Sequence, residues 1–208
     1  VFLVDITSDE IAGVSALLKA QPSVTSTAEM LPVVSSRIVA IDGVPASELK
    51  LKNFPRRMLQ SISLTWSETT PPGTKAVEGK WWPEKERGAF VAVDQRQAGR
   101  LGVKVGSKIT FAAQDTQIVA TVAALTKADG QHAYSRAEFV LPPAPLAGLP
   151  VVWYGGVHAD PARVGELQRA LYQAYPTVTV INVAEALETI RSVVIQITYV
   201  IQFLAAFS

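Results

Sequence analysis

Residues 1–24 read VFLVDITSDEIAGVSALLKAQPSV, and residues 151–181 read VVWYGGVHADPARVGELQRALYQAYPTVTVI. Both stretches carry the same order of signals. In the first, FLVDI is a strand and Thr7-Ser8-Asp9-Glu10 is a capping box, in which the Thr hydroxyl and the Glu carboxylate each satisfy a free backbone N–H. Ile11, Val14, Leu17 and Leu18 then share one helix face, and Pro22 breaks into a second strand expected from about Val24. In the second, VVWYGGV is a strand and Asp160 caps a helix with Pro161 at its first position. Val164, Leu167, Leu171 and Ala174 form that helix's face, and Pro176 breaks into TVTVI. Two strand–helix–strand (βαβ-type) halves at opposite ends of one chain predict an α+β fold with a ferredoxin-like sheet, split by whatever lies between.

The middle differs in character. From about Ser36 to Pro150 the chain offers short β-type runs punctuated by Gly and Pro: RIVAIDG, SISLTW, KAVEGKWW, AFVAV, SKITFAA, QIVATVAAL and EFVLP. SKITFAAQDTQIVATVAAL alternates apolar and polar on two arms and predicts a hairpin turning at Gln114-Asp115. One short helix is expected from about Asp94 to Leu101, before Gly102. Strands at this spacing predict a compact, partly closed β-subdomain. The expected organisation is residues 1–35 as the first half, 36–150 as a β-rich insertion with returning strands, and 151–182 as the second half. Residues 183–208 are expected to form a stalk helix entering a transmembrane span.

That helix belongs to the run NVAEALETIRSVVIQITYVIQFLAAFS, residues 182–208. Leu187, Ile190, Val194, Ile197, Ile201 and Leu204 recur at steps of three and four, while Val193, Val200, Phe203 and Phe207 fill the opposite face beyond Arg191. An exposed helix that is apolar on both sides is disfavoured in water. A membrane span takes roughly 20 apolar residues, so the run is expected to be the first turns of a transmembrane helix. A buried core helix or a dimer zipper stays open as the alternative, and Gln196 and Gln202 suit it. At the other end Val1 enters directly into a strand with no charged n-region. Both ends together lead us to expect a domain lying between two spans.

Composition narrows the chemistry. A net charge of +1 over 208 residues gives no field that favours nucleic acid. With 0 cysteines there is no disulfide, thiolate metal site or Cys nucleophile. The two histidines, His132 and His158, lie apart and no G-x-S-x-G elbow is present, so a nucleophile–base pair is not expected. His158 precedes the Asp160 cap and reads as structural, and His132 in ADGQHAYSR reads as solvated. The stretch GTKAVEGKW has five residues between its glycines and Trp81 after Lys80, so it fails as a phosphate loop. No catalytic, cofactor-binding or metal-ligating set is expected. Lys50, Lys52, Arg56 and Arg57 read as a solvated basic loop.

Trp66, Trp81, Trp82 and Trp153 stand out instead. Adjacent residues in a strand point to opposite faces, so one of Trp81 and Trp82 is expected to be exposed, as an anchor for a partner or a lipid. Cover by neighbouring loops is the open alternative. Trp66, Trp81 and Trp82 are the candidate contact residues.

Several of these pieces resemble one family. Leu64-Thr65-Trp66, Gly79-Lys80-Trp81-Trp82 and the turn Leu101-Gly102-Val103-Lys104-Val105-Gly106 are similar to the extracytoplasmic domain of FtsX/MacB-type ABC transporter permeases, more narrowly the YbbP-like branch. So are FLVDITSDEIAGVSALL and VSSRIVAIDGVP, and the resemblance covers essentially the whole chain. It implies a mixed "porter" subdomain carrying a largely β "sabre" insertion, held in the periplasm by the bacterial inner membrane. It implies no cofactor here and a separate cytoplasmic ATP-binding cassette subunit, whose motion reaches this domain through the span helices to handle a lipid, lipoprotein or peptide. Leu187, Ile190, Arg191 and Val194 would then lie on the coupling helix, and the domain would pair with a second permease domain. Recruitment of a periplasmic hydrolase is the alternative role that the resemblance carries.

Overall fold

The computed structural model describes residues 1–51, 54–183 and 185–190. The chain is α+β and dominated by sheet, and it divides into two compact units, residues 30–153 and the two flanking stretches.

The flanking unit contains β1 (Phe2–Thr7), α1 (Ile11–Ala20), the end of β10 (Val152–Gly156), α3 (Val164–Ala174) and β11 (Thr179–Ile181). Its strands lie in the order β11-β1-β10, with β1 antiparallel to β11 and Leu3 opposite Val180. The two helices touch. Leu3, Ile6, Val14, Leu18, Leu167 and Leu171 are buried to the last atom. Leu3 and Ile6 are three apart, a spacing that strict alternation would send to opposite faces. Asp5, with φ of 62°, supplies the extra residue that returns Ile6 to the inner face. Aspartate is among the few side chains that visit this region readily.

Two local expectations change. The Glu10 carboxylate accepts the Thr7 N–H at 3.1 Å as a capping box requires, but the Thr7 hydroxyl donates to that same carboxylate at 3.0 Å. The helix starts at Ile11 with Glu10 at the cap position, because residues 8–10 form a turn first. The strand expected from Val24 begins at Glu29, and Val24 makes only an isolated bridge to Ala159. Hydroxyl residues explain the delay. Ser26 Oγ accepts the His158 N–H at 2.9 Å, a side-chain bond that takes the place of a ladder bond. The Asp160 cap is present, its carboxylate accepting from Ala162, although Pro161–Arg163 form a 3-10 turn before α3.

The central unit holds β2 (Glu29–Ile41), β3 (Val44–Pro45), β4 (Ile62–Trp66), β5 (Thr74–Gly79) and β6 (Phe90–Asp94). It continues with α2 (Gln95–Leu101), β7 (Lys108–Ala113), β8 (Thr116–Ala128) and β9 (Phe139–Leu141). β2 pairs with β4, β4 with β9, β9 with β6, β6 with β8, β8 with β7, and β7 again with β2. That sequence of pairings is a closed ring of six strands. Its interior is built by alternation: Ile109, Phe111 and Ala113 on β7, Ile118, Ala120 and Val122 on β8, Val91 and Val93 on β6. Phe111 and Phe139 meet edge to face at 5.5 Å in this core. The β7–β8 hairpin turns at Gln114-Asp115 as expected, with Ala113 opposite Thr116. α2 closes one side, capped by Asp94, which accepts from Arg96 N–H at 3.0 Å, and ended by left-handed Gly102.

No helix of the described residues is long and apolar enough to cross a membrane. Residues 183 and 185–190 are helical, and Arg191, Val194 and the rest of the expected span lie outside the described residues.

Asp5→Val should lower stability by about 1–2 kcal/mol, the cost of a left-handed L-residue without aspartate's tolerance, while Asp5→Gly should be neutral or stabilising. Equal urea midpoints for the two variants would contradict the bulge assignment.

Candidate functional site

The tryptophans are positioned by strand ends. β4 runs parallel to β9 and finishes at Trp66, where the Ser67 N–H donates to the Leu141 carbonyl at 3.0 Å. The next two acceptors along the chain are each taken by an aromatic side chain. The Tyr134 hydroxyl donates to the Trp66 carbonyl at 2.9 Å, and Trp82 Nε1 donates to the Ser67 carbonyl at 3.1 Å. Burial pushes the Tyr134 phenol above its ordinary value, so it stays a neutral donor. The Trp66 ring lies edge-on to Trp153 at 5.7 Å and 79°.

Trp81 and Trp82 do not point to opposite faces. β5 stops at Gly79, with φ of 75°, where a Cβ would collide with the Ala123 carbonyl oxygen. The chain turns there, so both indoles fall on the outside of the barrel, stacked at 4.2 Å and 33°. Trp82 is buried against Ala92, Ala124 and Val140, which face outward from β6, β8 and β9. Trp81 is half-buried beside it, with Phe90, Ala123 and Ala137. Trp66 is also half-buried. Thus the expectation of one exposed indole fails, and cover by neighbouring segments is what the fold provides. The indole N–H groups of Trp81 and Trp153 are buried without an acceptor among the described residues.

His132 is not a solvated loop residue. Its Nδ1 lies 3.1 Å from Asp129 Oδ2, and the Ser135 hydroxyl donates to the same carboxylate at 3.1 Å. Ser, His and Asp meet here without the connectivity of a hydrolase triad, which needs the serine proton directed at the histidine ring. Here Asp129 takes that proton. The loop is instead stitched to residues 66–74, since the Asp129 N–H donates to the Gly73 carbonyl at 2.9 Å. The Gln131 N–H first, and the His132 ring second, hold the Asp129 carboxyl below its ordinary 3.8. No group of three or more His, Asp or Glu suited to a metal occurs among the described residues.

The remaining residues singled out by sequence lie on surfaces. Leu187 and Ile190 are 61% and 60% exposed. Lys50 and Arg57 are exposed, Arg56 donates to the Leu49 carbonyl at 3.2 Å, and Lys52 lies outside the described residues. Sequence reasoning missed Tyr134, whose role needs the Trp66 carbonyl, and the small outward residues that seat Trp82. Alanines at 92, 123, 124 and 137 were the available signal.

The chain aligns over 189 residues, 91% of its length, with the uncharacterized ABC transporter permease YbbP of Escherichia coli K12, at 26% identity. It is related in sequence to an ABC transporter permease. The chain spans 22% of that relative's length. No family model matches the chain. A crystallised domain of a candidate permease protein from Porphyromonas gingivalis superposes with a TM-score of 0.38 and 11% identity, covering 87% of this chain and 90% of that one. That superposition is too loose to assign a fold.

Trp82→Ala should cost about 3–5 kcal/mol, as expected for emptying a buried tryptophan site, and Trp81→Ala clearly less; equal losses by thermal or urea denaturation would contradict the stacking order. A depressed carboxyl pKa contributes stability that is fully present above the unfolded value and lost as pH falls through the native one. Asp129→Asn should therefore be less stable than the parent at neutral pH, and the gap should start to close near pH 3.8 and vanish only below the lowered native value. Parallel stability–pH curves for the two proteins would remove the assigned role.

Proposed function

We propose that this chain is the extracytoplasmic domain of an FtsX/MacB-type permease of the YbbP-like branch, lying in the periplasm against the bacterial inner membrane. The alignment with a permease over 91% of the chain carries this reading. In it, residues 1–35 and 151–182 form the ferredoxin-like porter part, 36–150 the sabre-like insertion, and 183–208 a stalk helix entering the bilayer. The closed strand ring of residues 30–153, with α1 and α3 both in the flanking unit, supports that division.

A cytoplasmic ATP-binding cassette subunit then supplies the motion, and a second permease domain completes the pair. The cargo is hydrophobic: a lipid, a lipoprotein or a peptide. Leu187 and Ile190 support a stalk, because two large apolar side chains one turn apart are left uncovered on a helix whose sequence continues apolar. Trp66 and Trp81, each half-buried, are the surface aromatics that reading assigns to cargo or partner contact, with Trp82 as their support. Asn182 starts the helix, its carbonyl accepting the Ala186 N–H at 3.0 Å. A rigid helix carries displacement only if its hydrogen-bond ladder is unbroken.

The test uses the full-length protein that contains this chain. Alkaline phosphatase, active only after export, is inserted at the exposed Asp42-Gly43 turn, where a Cβ at Gly43 meets nothing within 4 Å. High phosphatase activity is the expected result, and activity restricted to a cytoplasmic fluorescent fusion at the same site would sink the placement. Replacing Ile190-Arg191 by Pro-Gly should leave ATP hydrolysis by the partner subunit intact while abolishing the transport phenotype. Unchanged transport would remove the coupling role.

A further inference from the structure

β5 is an outermost strand of the central unit, hydrogen-bonded to β8 along one edge only. Residues 75–80 are all exposed, so no described segment covers it. An edge strand carries backbone donors and acceptors that a further strand can take up, and proteins blunt such edges with bulges and charges. β5 has both, and their arrangement decides which strand fits it.

Val77 is the inserted residue of the bulge. Ala76 lies opposite Thr126 and Glu78 opposite Leu125, so the register shifts by one between them. Lys75 lies opposite Lys127, and Leu125 and Lys127, two apart on β8, share a face. Lys75 and Glu78 are therefore brought to one face, which strict alternation would forbid at a spacing of three. The backbone follows the same shift. The Gly73 carbonyl accepts the Asp129 N–H at 2.9 Å, and the Lys80 N–H donates to the Ala123 carbonyl at 3.1 Å. Alternation from these two ends turns the polar groups of Lys75 and Glu78 toward β8 and those of Ala76 and Gly79 away from it.

Lys75 and Lys127 are like charges directly opposite, a destabilising arrangement. Neither lysine nor Glu78 makes a side-chain hydrogen bond or ion pair among the described residues. A second β5, antiparallel about a two-fold axis between Ala76 and Val77, changes both facts. It sets Lys75 beside Glu78 of the copy, and Glu78 beside the copy's Lys75, on one face. Thr74 then meets Gly79, and Ala76 meets Val77. Such self-complementarity is what an isologous contact requires. The incoming carboxylate also offsets the repulsion between Lys75 and Lys127. Centring the axis on Lys75 or on Glu78 instead would set like charges against each other.

We propose that β5 pairs antiparallel with β5 of a second copy of this chain, in the register where Lys75 and Glu78 exchange ion pairs across a two-fold axis. The bulge and the charges select that register rather than closing the edge. Nothing in the argument depends on the transporter reading, and the test needs no transport assay.

Sedimentation of the 208-residue chain is followed with rising concentration, in a mild non-ionic detergent because residues 192–208 carry no charge. A monomer–dimer equilibrium is expected, weakened by added salt. K75E and E78K should each raise Kd about tenfold, because both symmetric contacts become like-charged. Thermal melting of each variant checks that it still folds. Mixing the two variants should restore the dimer as a heterodimer, and K75E/E78K in one chain should restore the homodimer. A chain that stays monomeric would overturn the proposal, even if its edge captured an extended peptide. So would a dimer insensitive to both single reversals, or a mixture no tighter than its components.

Discussion

β7 is hydrogen-bonded along both edges, to β2 on one side and to β8 on the other, and this double pairing turns a long sheet into a ring. Closure imposes an inside and an outside on every strand it includes. Inside, space is limited, so alternate positions must be apolar and matched in size: Phe111 and Phe139 meet edge to face, with Ala113 and Ala120 nearby in the same core. Outside, the same alternation leaves Ala92, Ala124 and Val140 facing away from the barrel, an apolar surface that water would otherwise meet. Trp82 covers it. The aromatic cluster is thus a consequence of ring closure before it is anything functional.

The aromatic cluster also solves a hydrogen-bonding problem. A parallel β4–β9 pair ends at Trp66, where the chain leaves the ladder and its carbonyls lose their partners. Tyr134 and Trp82 supply donors to the two successive carbonyls of Trp66 and Ser67. Unpaired buried carbonyls are costly, so these aromatics serve packing and polar satisfaction at once. The half-buried rings of Trp66 and Trp81 keep part of their surface open to solvent. By contrast the flanking unit keeps its unmatched apolar surface at Leu187 and Ile190, on the element that the transporter reading assigns to coupling.

Local signals were readable where the chain makes its own partners. The Gln114-Asp115 hairpin, the Asp94 cap with Gly102 at the far end of α2, and the Val164, Leu167, Leu171 face of α3 all depend on residues within a few positions of one another. They appear where periodicity and capping place them. The delayed strand after Pro22 was not readable, because Ser26 bonds to His158 across a long stretch of sequence. Nor was the destination of Trp81 and Trp82, since a strand-like composition around them gives way to the turn at Gly79, enforced by the Ala123 carbonyl.

Sequence alone determined the element types, the two strand–helix–strand ends, the β-rich middle and the resemblance to a permease, because each rests on short-range pattern or on recognisable motifs. Tertiary structure decided that the middle closes, that Trp81 and Trp82 stack on its outer face, and that Asp129 gathers His132 and Ser135. Those outcomes depend on pairings between residues far apart in the chain. No local preference encodes them, because each is set by which strand edge remains available once the others have paired.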